Sequence, residues 1–150
     1  MKIAIGFDHG GFPLKNDIIK IIKHMGHEIL DMGAHENDPE DDFPDFAAPV
    51  AKAVQNKTAK KGIIVCGSGV GANIVANKFK GVRAGLCHDT YSAAQGVKHD
   101  DMNILCLGAR VVGAALAEEL VIAFIQAELE SNEDRFIRRL NKVKKIENNE

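Results

Sequence analysis

The chain of 150 residues is poor in large aromatic side chains, with no tryptophan and a single tyrosine. This scarcity argues against a nucleic-acid surface on which bases stack. The formal net charge of −2 gives no strong attraction to nucleic acid or to an anionic membrane. No apolar run approaches the roughly 18 residues of a membrane-spanning helix, and the first residues do not resemble a secretory signal. We therefore expect neither a nucleic-acid partner nor a membrane partner.

Cysteine is also scarce. The three cysteines are an odd number without a secretory signal, which predicts reduced thiols and a cytoplasmic location. Cys87 and Cys106 lie in apolar runs and are expected to be small core residues. The length predicts one domain over residues 1–150. A domain of this size buries about 68–70% of the surface of its unfolded chain, so a core needs no disulfides.

Short β-branched runs alternate along the chain with segments of helical periodicity. The predicted strands cover residues 2–7, 27–30, 63–65, 82–87 and 103–107. The predicted helices carry their apolar residues at 14–25, 46–54, 74–79, 91–98, 112–127 and 132–146. This alternation predicts an α/β fold, a five-stranded parallel, doubly wound (Rossmann-like) sheet with helices on both faces. Ligands of such sheets bind beyond the carboxyl ends of the strands.

The segment 62–79 carries the strongest functional pattern. A β-branched run at 63–65, typical of a buried parallel strand, leads into a glycine-rich turn with Cys66 and Ser68. A helix is predicted to follow, so the bare N–H groups of the turn lie at a helix N-terminus, where an anion is favoured. A thiol in such a place is a candidate base or nucleophile. Asp8 and His9 follow the first strand and are expected at the same edge of the sheet.

Other functions fit parts of this pattern. Residues 67–72 match the G-x-G-x-x-A pattern of dinucleotide sites, which leaves a non-catalytic nucleotide-binding module as an alternative, although the pattern follows the third strand rather than the first. A cysteine-dependent phosphatase would need an arginine where Ala72 stands. A phosphoacceptor signalling domain would need an aspartate in place of Cys66.

Four motifs occur in order along nearly the whole chain. They are Gly-Phe-Asp-His-Gly-Gly at 6–11, Cys-Gly-Ser-Gly-Val-Gly at 66–71, Ala-Asn-Lys at 76–78 and Gly-Ala-Arg-Val-Val-Gly at 108–113. In these motifs the chain resembles the type B ribose-5-phosphate isomerases, a family that also contains the galactose-6-phosphate isomerase subunits. The resemblance implies a metal-independent aldose–ketose isomerisation of a phosphosugar through an enediolate, without a cofactor.

The resemblance also implies catalytic roles. Cys66 would be the base that moves the proton between C1 and C2. Family members that lack this cysteine use a glutamate at the position of Ala72, so the chain is similar to the cysteine branch. Ser68 and the N–H groups of Gly69 to Gly71 would hold the enediolate oxygen. Asp8 and His99 would serve ring opening and proton transfer between hydroxyls.

Further residues would bind the substrate. The turn residues Gly67, Gly69, Val70 and Gly71 would contact its oxygens, and the phosphate would be held by His9, Arg110, Arg135 and Arg139. Arg135 and Arg139 lie one turn apart on a predicted helix, which suits a phosphate dianion, although Glu133 and Asp134 beside them also fit a solvated helix face.

Three departures from the family pattern concern substrate choice. Asp100 stands where asparagine is usual, Phe43 stands where tyrosine is common, and residues 133–136 replace the usual Gly-Gly-Arg-His. Asp100 remains a candidate substrate contact. Ribose 5-phosphate is the expected substrate, and a six-carbon allose or galactose 6-phosphate is the alternative.

Topology predicts a homodimer or tetramer with shared active sites. Cys66 and Asp8 follow strands, whereas His99 lies between the fourth helix and the fifth strand, at the opposite end of the sheet. A two-fold axis can bring opposite ends of two sheets together. The C-terminal helix is therefore expected to reach a partner subunit. No metal is expected, because the histidines and cysteines show no close pairing, and the acidic run 36–42 is predicted to be a solvated loop.

Overall fold

Residues 1–149 are described by the computed structural model, and they form a five-stranded sheet flanked by helices. The strands are β1 (Lys2–Phe7), β2 (Glu28–Asp31), β3 (Lys61–Cys66), β4 (Ala84–Leu86) and β5 (Ile104–Gly108). They lie in the order β2-β1-β3-β5-β4, and all four neighbouring pairs are parallel. The predicted fold class is confirmed.

Residues 1–149 form six α-helices, of which the first five cover the two faces of the sheet and the last packs against the fourth. They are α1 (Lys15–His24), α2 (Pro44–Gln55), α3 (Val70–Ala76), α4 (Thr90–Asp100), α5 (Ala114–Gln126) and α6 (Asp134–Glu147). Alternate side chains of each strand point to opposite faces. Ile63 and Leu105 pack with α1, α4 and α5, whereas Ile64 and Cys106 pack with α2 and α3. Two cores result, one on each face, which explains why the central strands are apolar throughout.

The strand order places the functional edge between β1 and β3. From β1 the chain first builds β2 on one side and then β3 on the other, so this is the point where the strand order reverses, and ligands bind beside such points. Phe7 pairs with Val65, and Cys66 pairs with Gly108. The residues that follow β1, β3 and β5 therefore emerge side by side.

The predicted bounds of the fourth strand and of the helix after the glycine turn are wrong, and His99, expected between the fourth helix and the fifth strand, lies within α4. The fourth strand covers only Ala84–Leu86 instead of residues 82–87. The helix after the glycine turn ends at Ala76, and Phe79 lies in the following turn. Asn77 explains both shifts, since its side chain donates to the Asn73 carbonyl and also forms two hydrogen bonds with the backbone of Ala84. The amide of Asn77 thus ends α3 and anchors the start of β4.

Burial confirms that Cys87 and Cys106 are core residues. Burial also raises the pKa of both thiols, so neither resembles a reactive cysteine. Among residues 1–149, no helix is both long enough and apolar enough to cross a membrane.

Candidate active site

A cavity of about 330 Å³ lies at the carboxyl ends of β1, β3 and β5. It is lined by Asp8, His9, Gly10, Phe43, Cys66, Gly67, Ser68, Gly71, Arg110 and Val111. Seven of the residues predicted from the sequence to be catalytic or to bind substrate are therefore brought together in one place: Asp8, His9, Cys66, Gly67, Ser68, Gly71 and Arg110. The cause is the parallel sheet, because each of the loops after β1, β3 and β5 begins at the same edge.

The Cys66 thiol lies at the floor of this cavity and is 6% exposed. The backbone N–H of Gly69 donates to its Sγ over 3.0 Å. Gly69 has φ +80°, a left-handed conformation that glycine adopts without a steric penalty. This conformation turns the N–H back toward the sulfur, so a partial positive charge faces the group predicted to be the base.

Ser68 and the first turn of α3 form one wall of the cavity. The Ser68 Oγ accepts a hydrogen bond from the Val70 N–H over 3.2 Å. Two of the three predicted oxyanion donors are thus engaged within the loop, Gly69 with sulfur and Val70 with Ser68. The Gly71 N–H enters none of the hydrogen bonds described for residues 1–149. Gly71 is therefore the backbone donor best placed to receive a substrate oxygen.

The loop depends on a close backbone approach from β5. A Cβ atom added at Gly108 would lie 2.6 Å from the carbonyl carbon and oxygen of Ser68. The Gly108 N–H donates to His88 Nε2 over 3.1 Å, so His88 supports this strand end. His88 does not line the cavity.

We predict that Gly108→Ala displaces the Ser68 loop, because the contacted atoms are backbone and cannot rotate away. Overpacking of this kind lowers the free energy of unfolding by about 1–3 kcal/mol. The activity that the sequence predicts should fall with it, and the two effects are measured by urea unfolding and by initial rates of phosphosugar isomerisation. Gly113→Ala is the matched control, since a Cβ there meets no heavy atom within 4 Å. Wild-type rates in Gly108→Ala would contradict the prediction.

Asp8 and Arg110 also line the cavity. The Asp8 side chain is buried, and its Oδ1 accepts the Gly11 N–H over 2.9 Å. Asp8 thus also stabilises the turn between β1 and α1, a structural role in addition to its predicted role in catalysis. The backbone N–H of Arg110 donates to the Gly67 carbonyl, which joins the loop after β5 to the glycine turn.

His9 is held by a residue that the sequence did not single out. Its Nδ1 lies 2.6 Å from Asp41 Oδ1, and its backbone N–H donates to the same oxygen over 3.0 Å. The prediction that the whole run 36–42 is solvated is wrong at Asp41, whose side chain is 8% exposed. Its hydrogen bond is the main reason that the pKa of His9 is raised, while the nearby Asp8 charge adds to the effect and Arg110 opposes it.

Four predicted site residues lie elsewhere and form a second group on α4 and α6. The His99 ring stacks on Phe136 with centroids 3.9 Å apart, and the Arg135 guanidinium lies 5.3 Å from the same ring. Asp100 and Arg139 line one cavity of about 390 Å³ between β4, α4 and α6. None of the four lines the Cys66 cavity.

Gln95 organises this second group. Its Nε2 lies 3.0 Å from His99 Nδ1 and 3.3 Å from Asp100 Oδ2. Because a carboxylate only accepts, the amide nitrogen of Gln95 faces Asp100 and donates to both partners. The other ring nitrogen of His99 lies 3.9 Å from Glu130 Oε2. In sequence Gln95 is one polar residue on a helix, and no motif distinguishes it.

A larger cavity, of about 750 Å³, lies at the opposite end of the sheet and includes Lys61. The Lys61 ammonium donates to the carbonyls of Phe124, Ala127 and Ile125 over 2.7, 2.9 and 3.3 Å. Burial lowers the pKa of Lys61 to about 8. Since its donors are used to cap the end of α5, this lysine has a structural role, and the cavity holds no thiol or glycine-rich turn.

Comparisons with known proteins agree with this geometry. The family model described as Ribose/Galactose Isomerase matches residues 3–143. The chain is 41% identical to ribose-5-phosphate isomerase B of Escherichia coli (strain K12) over 146 residues, which are 97% of this chain and 96% of that protein. It is 39% identical to D-erythrulose-4-phosphate isomerase of Pectobacterium atrosepticum, over 87% of this chain and 86% of that protein. The structure of Clostridium thermocellum ribose-5-phosphate isomerase B is 43% identical and has a TM-score of 0.94, with 99% of each chain covered.

Proposed function

Because this chain belongs to the ribose/galactose isomerase family and is a sugar-phosphate isomerase, we propose that it interconverts ribose 5-phosphate and ribulose 5-phosphate. Cys66 is the proposed base. The observation that supports this role is a thiol at the cavity floor that accepts the Gly69 N–H over 3.0 Å. Enzyme function replaces the alternative of a non-catalytic nucleotide-binding module.

The proposed reaction moves one carbon-bound proton and leaves the redox balance of the molecule unchanged. The Cys66 thiolate removes the proton from C2 of the open-chain aldose, and the C2 electron pair forms the enediolate. The thiol then returns the proton to C1, while a proton moves between the oxygens on C1 and C2. A positioned base contributes typically 10² to 10⁴-fold, and donors at the developing oxyanion often contribute most. Ser68 and the Gly71 N–H line the same cavity as that base and are the proposed donors.

The second group of residues supports a shared active site. His99 and Asp100 precede β5, whose first residue pairs with Gly62 near the start of β3, whereas Cys66 ends β3. The four steps from Gly62 to Cys66 span about 13 Å along the strand, which is farther than either side chain reaches. We propose that two chains pair so that the Cys66 cavity of one meets His99, Asp100, Arg135 and Arg139 of the other. Ring opening and part of the phosphate contact would then come from the partner subunit.

Substrate size is the finer question, since D-erythrulose-4-phosphate isomerase is among the similar proteins. Asp100 bonds to Gln95, so its carboxylate is already oriented before substrate arrives. The deciding experiment measures kcat/KM for ribose 5-phosphate, allose 6-phosphate, galactose 6-phosphate and erythrulose 4-phosphate with one enzyme preparation. We expect ribose 5-phosphate to have the highest value. A higher value for another sugar would replace the proposed substrate while leaving the reaction class intact.

We predict that isomerisation needs no metal. Within residues 1–149, the one group of potential ligands close enough to share a cation is Asp8, His9 and Asp41, whose ligand atoms lie within 4.8 Å of one another. Within this group, Asp8 Oδ1 accepts the Gly11 N–H, and His9 Nδ1 is hydrogen-bonded to Asp41 Oδ1. Dialysis against EDTA should leave kcat/KM unchanged. Loss of activity that a divalent ion restores would contradict this prediction.

A further inference from the structure

Asp41 is a nearly buried carboxylate with an incomplete set of partners. Its Oδ1 accepts from His9 twice, at Nδ1 over 2.6 Å and at the backbone N–H over 3.0 Å. Its Oδ2 is buried and has no hydrogen-bond partner among the described residues. A buried charge is stable only when it is paired. Since the His9 ring is bonded to Asp41, it is the group best placed to supply the opposite charge.

The hydrogen bond also determines which nitrogen of His9 carries a proton. A carboxylate can only accept, so Nδ1 must donate to Asp41 in every charge state of the ring. In a neutral ring the proton is then on Nδ1, and Nε2 presents a lone pair. Phosphate dianion oxygens also only accept. Nε2 can therefore bind a phosphate only when His9 is an imidazolium.

We propose that Asp41 is a positioning residue that keeps His9 an imidazolium, so that the Nε2–H of His9 binds the phosphate group of the substrate. The proposal rests on the phosphosugar isomerase function given above. His9 lines the Cys66 cavity together with Arg110, so two cations face the ligand from the loops after β1 and β5. The charged groups that act on His9 are Asp41 and Asp8, which favour the imidazolium, and Arg110, which disfavours it.

The direction of the pH dependence follows from this arrangement. The pKa of His9 is raised, chiefly by the hydrogen bond to Asp41, so the imidazolium persists to higher pH than for an unpaired histidine. Anion affinity should then fall as pH rises through the raised value. Without the Asp41 charge, the same loss of affinity should occur at lower pH.

The experiment measures binding of sulfate by calorimetry between pH 6 and 9, roughly the range in which histidines titrate. Sulfate is chosen because its charge stays constant over this range, unlike that of phosphate. Asp41→Asn keeps an oxygen acceptor for His9 but removes the charge. We expect sulfate affinity to fall about tenfold at pH 7.5, since hydrogen bonds to charged groups are stronger than neutral ones. The midpoint of its pH profile should move downward.

Two controls separate this role from a structural one. Glu40→Gln removes one charge from the same loop at an exposed side chain and should bind sulfate like wild type. NMR titration of the His9 ring in the wild-type protein, with the signal identified by its loss in His9→Gln, reports the charge state without any variant of Asp41. In kinetics with ribose 5-phosphate, Asp41→Asn should raise KM and change kcat by no more than about threefold.

The inference is overturned if wild-type His9 is neutral at pH 7, or if Asp41→Asn keeps the wild-type sulfate profile. Failure of Asp41→Asn to fold leaves the wild-type NMR titration to decide. The proposed function is tested separately, and it fails if ribose 5-phosphate is not converted. In that case an Asp41-dependent sulfate profile would still establish the ion pair and its anion site.

Discussion

Cys66→Ala should lower kcat by about 10² to 10⁴-fold, the usual cost of losing a general base. Substrate binding should remain largely intact, because Asp8, His9 and Arg110 line the same cavity and do not depend on the sulfur. Ala72 stands where the resemblance places a glutamate in family members without the cysteine, so this position cannot supply a replacement base. Initial rates and calorimetric binding of ribose 5-phosphate test the two halves of this prediction. A variant that keeps more than a tenth of the wild-type kcat would refute Cys66 as the base.

Alkylation provides a matched test of the same assignment. Iodoacetamide should inactivate the enzyme at Cys66, and bound substrate should protect against it. Cys87 and Cys106 act as internal controls. Burial raises the pKa of both side chains, so at neutral pH they stay protonated and react slowly with the reagent. Peptide mapping by mass spectrometry should find the label on Cys66 alone. Inactivation with the label elsewhere would contradict the assignment.

Mixing inactive Cys66→Ala with inactive Arg139→Ala should restore about a quarter of wild-type activity once subunits exchange. The reason is that Arg139 lies on α6 and lines the cavity between β4, α4 and α6, whereas Cys66 lines the other cavity. If each site combines the Cys66 cavity of one chain with Arg139 of the other, half of the dimers are hybrids. Each hybrid then has one intact site of two.

The control mixture is Cys66→Ala with Cys66→Ser. Both lesions then lie at the same position, so no hybrid site is intact and no activity should return. Sedimentation or size-exclusion chromatography establishes that the chains form dimers in both mixtures. If the first mixture also stays inactive although hybrids form, each site lies within a single chain and the shared arrangement is wrong.

Local sequence patterns were sufficient to predict that Cys66, Ser68 and Asp8 lie together at one edge of the sheet. Cys66, Ser68 and Asp8 follow β-branched strands, and glycines mark the turns after them. Parallel strands bring their carboxyl ends to one edge, so these residues had to meet once the sheet formed. The motifs likewise predicted the family, which the matching family model and the full-length relatives confirm.

Contacts between residues that are far apart in the chain were decided only by the tertiary structure. Asp41 is 32 residues from His9 and lies in an acidic loop without periodicity, so nothing local distinguished it from its solvated neighbours. The Phe136 ring contacts both the His99 ring and the Arg135 guanidinium, although His99 lies on α4 and Arg135 on α6, with β5 and α5 between them in the chain.

The sequence by itself thus determined the elements, the turn chemistry and the edge of the sheet at which the proposed base, Cys66, lies, because these depend on residue type and short-range period. The order β2-β1-β3-β5-β4 was decided by the tertiary structure, and it places Gly108 against Ser68. The tertiary structure also decided that Asp41 is the hydrogen-bond partner of His9 and that the predicted site residues fall into two separate groups. These features arise from packing between distant segments, and such packing leaves no periodic mark in the chain.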